Sequence, residues 1–121
     1  MGRAKTEILS KVAHWDGVTV HPHRFGGVEF RLGRREIGHL HGDILLDIPF
    51  PMSVKQRLVA EGKADRHHVL PDSGWVSFRI RSDDDIQQGV ELLYQSFQLA
   101  VLSDAKKKEM NHTSRAKDPN A

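Results

Sequence analysis

Between Gly17 and Pro51 the chain is cut so often by turn-forming residues that only strand-length segments fit between the cuts. Glycine opens or closes each segment at Gly17, Gly26, Gly27, Gly33 and Gly42, and Pro49 and Pro51 end the last one, because proline supplies no ladder donor. Within the segments the apolar residues recur every second position: Val28, Phe30 and Leu32 alternate with Glu29 and Arg31, and Ile44, Leu46 and Ile48 with Leu45 and Asp47. Period two with tight turns between means antiparallel hairpins. Val18 and Val20 form a short edge strand ahead of Pro22.

The turn chemistry also sets a register. Gly33 and Arg34 suit a two-residue type II′ loop with glycine first. It places Leu32 against Arg35, Arg31 against Glu36, Phe30 against Ile37 and Val28 against His39. The opposite charges of Arg31 and Glu36 meeting on one side favour that pairing. The inner face then reads Val28, Phe30, Leu32, Ile37, His39 and His41. A second hairpin is expected from residues 67–70 and 75–80, joined through Pro71, Asp72, Ser73 and Gly74. Its register sets His67 against Phe78 on the inner face and His68 against Ser77 on the outer one.

Three helices complete an α+β fold: an antiparallel sheet of hairpins with an N-terminal, a short middle and a C-terminal helix packed on it. Residues 6–15 carry Ile8, Leu9, Val12 and Trp15 at helical spacing, with Gly17 as the stop. Ser53, with Gln56 three positions later, reads as a capping box for a helix through Glu61 that presents Val54, Leu58 and Val59 and ends at Gly62. Ser82 caps the third helix, whose first turn holds Asp83, Asp84 and Asp85 at the positive end of the dipole. Ile86, Val90, Leu93, Phe97 and Val101 are its apolar stripe. One α+β domain over residues 1–103 is expected, followed at 104–121 by a basic tail without apolar periodicity and without regular structure.

Composition removes several classes of function. With no cysteine among 121 residues there is no disulfide framework, thiolate ligand or thiol nucleophile, and a reducing, cytoplasmic setting is expected. No apolar run reaches the roughly 18 residues of a membrane span, and the N-terminus lacks a signal-peptide stretch. The net charge of +2 comes from 18 basic and 16 acidic residues. Five of the basic and three of the acidic residues lie at 104–121, leaving 13 of each in the body. A body without a basic surplus is not a phosphate-tracking surface, so nucleic acid is not an expected partner.

Histidine is then the residue that can carry chemistry. On one strand His39 and His41 present both rings in one direction, about 7 Å apart at the backbone. With His67 they form a candidate site of general bases near neutral pH or of ligands for Zn²⁺, Fe²⁺ or Cu²⁺. Glu36, Asp43 and Asp47 are carboxylates within reach to orient rings. The plainer alternative is that all three are interior histidines bonded to backbone carbonyls. His21 and His23 should face solvent. His68 shares the outer face with Trp75, which could stack on a flat ligand or simply cover the sheet.

The blocks REIGHLHGD (residues 35–43) and EGKADRHHVLPDSGWVSFRIRSDDD (residues 61–85) resemble the bacterial luciferase-domain proteins, a family named for similarity to the core of fungal luciferase. The resemblance extends over about residues 17–102. Its pattern is a glutamate followed by His-Xaa-His, then a glycine-containing helix end and a further histidine, here Glu36, His39, His41, Gly62 and His67. It implies an oxygen-handling pocket with histidine bases and no separate flavin or known metal. The chain departs from fungal luciferase in being shorter, in having no membrane-anchoring segment, and in following His41 with Gly42, Asp43 and Ile44. Neither light emission nor a hydroxypyrone substrate is carried over. The expectation is a small-molecule pocket between sheet and helices. His39, His41, His67 and Glu36 are its acid/base groups, and Trp75, Asp43 and His68 its substrate contacts. A small planar ligand is the expected partner, with no cofactor or, alternatively, a divalent metal on His39, His41 and His67. A non-catalytic binding or interaction module and a structural metal-binding domain are the rival expectations.

Overall fold

The computed structural model describes residues 3–117. A helix α1 (Arg3–Val12) leads into four strands, β1 (Val18–Pro22), β2 (Val28–Leu32), β3 (Arg35–His41) and β4 (Leu45–Pro49). Helix α2 (Met52–Ala60), two further strands, β5 (Asp65–Arg66) and β6 (Trp75–Arg79), and a long helix α3 (Asp84–Lys117) follow. The strands form one antiparallel sheet in the order β1-β2-β3-β4-β6-β5. The first four make the meander that the glycine punctuation predicts. After α2 the chain returns so that β6 lies against β4 and β5 becomes the edge.

One face of this sheet is apolar and carries α3. Val28, Leu40, Leu46 and Phe78 pair in one row across four strands. Two glycines let helix and sheet close on each other: a β-carbon at Gly89 would lie 2.8 Å from Leu46 Cδ1, and one at Gly38 would lie 2.5 Å from Leu93 Cδ2. Ile37, Leu40, Leu46, Ile48, Val76, Leu92 and Leu93 are fully buried there, each contributing roughly 1.5–3 kcal/mol. Helix α1 packs on α3 through Ile8 and Val12, and the Trp15 ring meets Tyr94 and Phe97 at centroid distances of 5.1 and 5.5 Å. Among the described residues no helix is long and apolar enough to cross a membrane.

The expected turn register holds for two pairs and then slips. Leu32 pairs with Arg35 and Arg31 with Glu36, with Gly33 at φ 62°, as the turn requires. Beyond them Phe30 pairs with Gly38, not Ile37, and Val28 with Leu40, not His39. Ile37 is the extra residue of a β-bulge, and one extra residue moves every later side chain of β3 to the other face. His39 and His41 therefore share a face, as expected, but it is the face opposite α3.

The helix ends also differ from expectation, each for a local reason. Asp43 Oδ1 accepts the backbone N–H of Lys5 at 2.9 Å, a cap supplied from the β3–β4 turn, and α1 starts at Arg3 instead of Thr6. Helix α2 begins directly behind Pro51, so Ser53 lies inside its first turn and does not cap it. Helix α3 starts at Asp84, which makes Asp83 and not Ser82 the residue ahead of it, and Asp85 Oδ2 reaches back to accept the N–H groups of Arg81 and Ser82. The helix continues to Lys117, over most of the 104–121 stretch expected to lack regular structure; the last four residues lie outside the described ones.

Candidate functional site

The face of the sheet away from α3 carries a polar row that spans all six strands: His21, Glu29, His39, Asp47, Ser77 and Asp65 stand in consecutive register. Its centre, on β3, β4 and β6, is buried, with Asp47 1 % and Ser77 3 % exposed. A carboxylate this deep must be paired or hydrogen-bonded to stay charged. Ser77 Oγ donates to Asp47 Oδ1 at 2.7 Å. Four imidazole nitrogens surround the other oxygen, Oδ2: His41 Nε2 at 3.0 Å, His39 and His68 Nε2 at 3.2 Å, and His67 Nε2 at 3.4 Å.

Each ring arrives by a different route. His39 and His41 stand two apart on β3. The bulge at Ile37 then brings Glu36 onto the same side as His39, so that its Oε2 lies 2.6 Å from His39 Nδ1 despite a three-residue spacing. His67 and His68 follow β5, which ends at Arg66; the expected strand over 67–70 does not form. Irregular backbone frees the two neighbours from alternation, so both rings reach Asp47 instead of pointing to opposite faces. Their segment is tied down at several points. Lys55 Nζ, on a buried residue of α2, donates to Pro71 O at 2.7 Å, Phe50 N–H donates to Gly74 O at 3.1 Å, and Ser73 Oγ donates to Leu70 O at 2.7 Å. A β-carbon at Gly74 would lie 2.1 Å from Phe50 O, so only glycine permits this approach.

Proton positions follow from the partners. His67 Nδ1 accepts the N–H groups of Val69 and Leu70 at 3.1 and 3.0 Å, so the neutral ring carries its hydrogen on Nε2, 3.4 Å from Asp47 Oδ2. Burial lowers the pKa of His67, the attraction of Asp47 opposes this, and the neighbouring His68 and His39 add to the lowering. His39 behaves oppositely. Burial alone would lower it, but hydrogen bonds to Asp47 and Glu36 and their charges outweigh that and raise its pKa to about 9. Burial works against the ionised form of Asp47, yet hydrogen bonds from His39, Ser77 and His68 hold its pKa well below the usual carboxylate range. The cluster thus holds a cationic His39, an anionic Asp47 and a neutral His67.

Two aromatic groups complete the site. Trp75 is half-buried, with its ring 5.3 Å from that of His39 and 6.1 Å from that of His67 between centroids. His23, expected in solvent, stacks on His39 at 4.0 Å, and its Nδ1 lies 2.9 Å from Glu29 Oε1. The hydrogen bond with His23 lowers the pKa of Glu29; burial opposes it, and Arg31, 2.6 Å from Oε2, reinforces it. The structure therefore brings together His39, His41, His67, His68, Glu36 and Trp75. Of the expected ring-orienting carboxylates it puts Asp47 at the centre and separates Asp43, which caps α1, and it adds His23, Glu29 and Ser77. Among the described residues three sets of side chains offer donor atoms mutually within 4.8 Å: His23, His39 and His41; His41, Asp47 and His68; and His23, Glu29 and Glu36.

Sheet, helices and cluster together define a small α+β domain built around a histidine site on one buried carboxylate. A family model for the Luciferase domain matches residues 34–96, just over half the chain, and includes β3, β4, the segment of His67 and His68, Trp75 and the start of α3. The chain belongs to that family. No curated protein and no solved structure matches it.

Proposed function

We propose that the cluster is a binding and acid/base site for a small planar molecule with an acidic O–H or C–H group. The observation that carries this reading is the gathering of four imidazoles around Asp47 beside the Trp75 ring. The four rings differ in access. The side chains of His39 and His67 are 11 % and 10 % exposed, whereas those of His41 and His68 are 32 % and 39 % exposed and are the rings an incoming ligand meets. Trp75 offers an aromatic face for stacking. In an enzyme of this kind an exposed imidazole takes the acidic proton, and the anion that remains is stabilised by the imidazolium of His39, with Glu36 holding that ring in place. Family membership supports a small-molecule reading over an interaction module, because the matched span contains the whole cluster apart from His23 and Glu29.

The test is a panel of substituted phenols and cyclic enols added to the Trp15→Phe protein, in which Trp75 is the remaining tryptophan. Saturable quenching of Trp75 fluorescence is expected, with matching shifts of the His41 and His68 ring resonances and about tenfold or greater weakening in Trp75→Ala. A panel that perturbs neither the tryptophan nor any ring of the cluster contradicts the proposal.

A further inference from the structure

The four rings at Asp47 are more than one oxygen can use. A carboxylate oxygen has two lone pairs, and Oδ2 faces four nitrogens within 3.4 Å. Two of those rings already have fixed duties. His67 is held by the backbone N–H groups of Val69 and Leu70 with its hydrogen on Nε2, so that nitrogen has no lone pair to offer, and at 3.4 Å from Oδ2 it lies beyond the usual hydrogen-bond range and takes neither lone pair of that oxygen. His39 lies between two carboxylates, Glu36 on Nδ1 and Asp47 on Nε2, and takes one lone pair of Oδ2, leaving the other for an ion. That leaves His41 and His68, the two exposed rings, whose Nε2 atoms lie 3.0 and 3.2 Å from Oδ2.

From this geometry we infer that His41 Nε2, His68 Nε2 and Asp47 Oδ2 form a site for one divalent transition-metal ion, with its remaining positions open to water or an oxygen ligand. Bonds of about 2.1 Å place neighbouring donors about 3.0 Å apart on an octahedral ion and about 3.4 Å apart on a tetrahedral one. Both N···O distances fall in or at the edge of that range, and all three donor atoms lie within 4.8 Å of one another. The rings of His41 and His68 are near-perpendicular with centroids 6.4 Å apart, so His68, on the irregular segment after β5, closes on the ion by about an ångström or two. Ser77 Oγ on Asp47 Oδ1 fixes the carboxylate with Oδ2 turned to the ion. Two imidazoles and one carboxylate with open positions suit Fe²⁺, Co²⁺ and Zn²⁺ more than Mg²⁺ or Ca²⁺, which take oxygen ligands. The alternative set of His23, His39 and His41 fits less well, because His23 and His39 are stacked within 15° of parallel and their lone pairs do not converge.

This assignment deepens the small-molecule reading: the ion, and not a free ring, would meet the acidic oxygen of the ligand. It is tested on full-length protein without a histidine tag, stripped with a chelator and titrated with Co²⁺ and Zn²⁺ by absorption and calorimetry. One ion per chain is expected. Binding should weaken more than about 100-fold in His41→Ala, His68→Ala and Asp47→Asn, and stay within about threefold of wild type in His14→Ala and His21→Ala. Circular dichroism identifies any variant that has unfolded, and His68→Ala, on an exposed segment, is the variant that keeps the fold. No binding of either ion, or binding that His68→Ala leaves unchanged, overturns the metal site. The phenol and enol panel, repeated on chelator-treated protein, separates the two ideas: ligand binding that persists in a chain that takes up no metal leaves the small-molecule reading standing while the metal site fails.

Discussion

At the scale of single residues, Asp47 carries most of the consequence. Its charge is compensated by hydrogen bonds from Ser77 and the surrounding imidazoles, in a place where it is 1 % exposed. Removing that charge leaves a cationic His39 with one of its two anionic partners gone, and breaking such buried pairs costs about 3–5 kcal/mol. Asp47→Ala is therefore expected to lower the unfolding free energy by about 3 kcal/mol in urea denaturation. The pH dependence has two arms. His39 has a folded pKa raised to about 9, so its contribution is complete below the ordinary histidine value and is lost as pH rises through about 9. Asp47 has a lowered folded pKa, so its contribution is complete above the ordinary carboxylate value and is lost as pH falls below it. His67, with a lowered folded pKa, likewise contributes fully only above the ordinary histidine value, so stability of chelator-treated protein should be highest near about pH 6.5 and fall on both sides, and the His39 ring resonances should titrate near pH 9. A His39 ring that titrates at the ordinary histidine value would contradict the two-carboxylate clamp.

At the scale of elements, the bulge in β3 and the segment after β5 build the site. Gly38 follows the bulge with φ 155°, and a methyl group there would lie 2.5 Å from Leu93 Cδ2 and 3.2 Å from Asp47 O. Gly38→Ala combines a strained backbone with overlap against α3 and is expected to cost about 2–4 kcal/mol, read as a lowered Tm. The 67–74 segment responds differently, because its anchor is outside the sheet. Lys55→Met keeps the apolar stem but deletes the bond to Pro71 O. Faster amide exchange is expected across residues 67–74, with β3 and β4 unchanged. Equal acceleration everywhere would mean that Lys55 supports the whole fold and not this segment.

The same two elements mark the limit of what the sequence discloses. Period-two alternation and turn residues predict the meander, the Leu32 and Arg35 turn pairs, and the shared face of His39 and His41, because these are local. The signal for the bulge is Gly38, a glycine inside the strand pattern, and reading the turn register straight through it inverts the face. His67 and His68 are assigned to opposite faces because a strand is assumed where the backbone is irregular. Asp47 does carry a signal: an aspartate among Ile44, Leu45, Leu46 and Ile48 in a central strand has to be compensated. His23 carries a weaker one in the doubled His-Xaa-His at 21–23 and 39–41.

At the scale of the whole molecule, the sheet separates two tasks. One face packs α3 and supplies the apolar core, and the other holds the polar row and its histidines, covered by the chain around His23 and by the segment from His67 to Gly74. The alternation of a pleated strand does this with no extra domain: Leu40 and Leu46 point one way, His39, His41 and Asp47 the other. The Luciferase-domain match begins one residue before β3 and ends within α3, so it includes the central strands and the part of the helix whose Leu93 lies against Gly38. Asp47 gathers four imidazoles, and histidine ring nitrogen NMR on chelator-treated wild type and Asp47→Asn reads that gathering ring by ring. The predicted result is a change in ring nitrogen shifts at His39, His41, His67 and His68, with His14 and His21 unmoved. Shifts confined to one ring, or spread evenly over all the histidines, would contradict it.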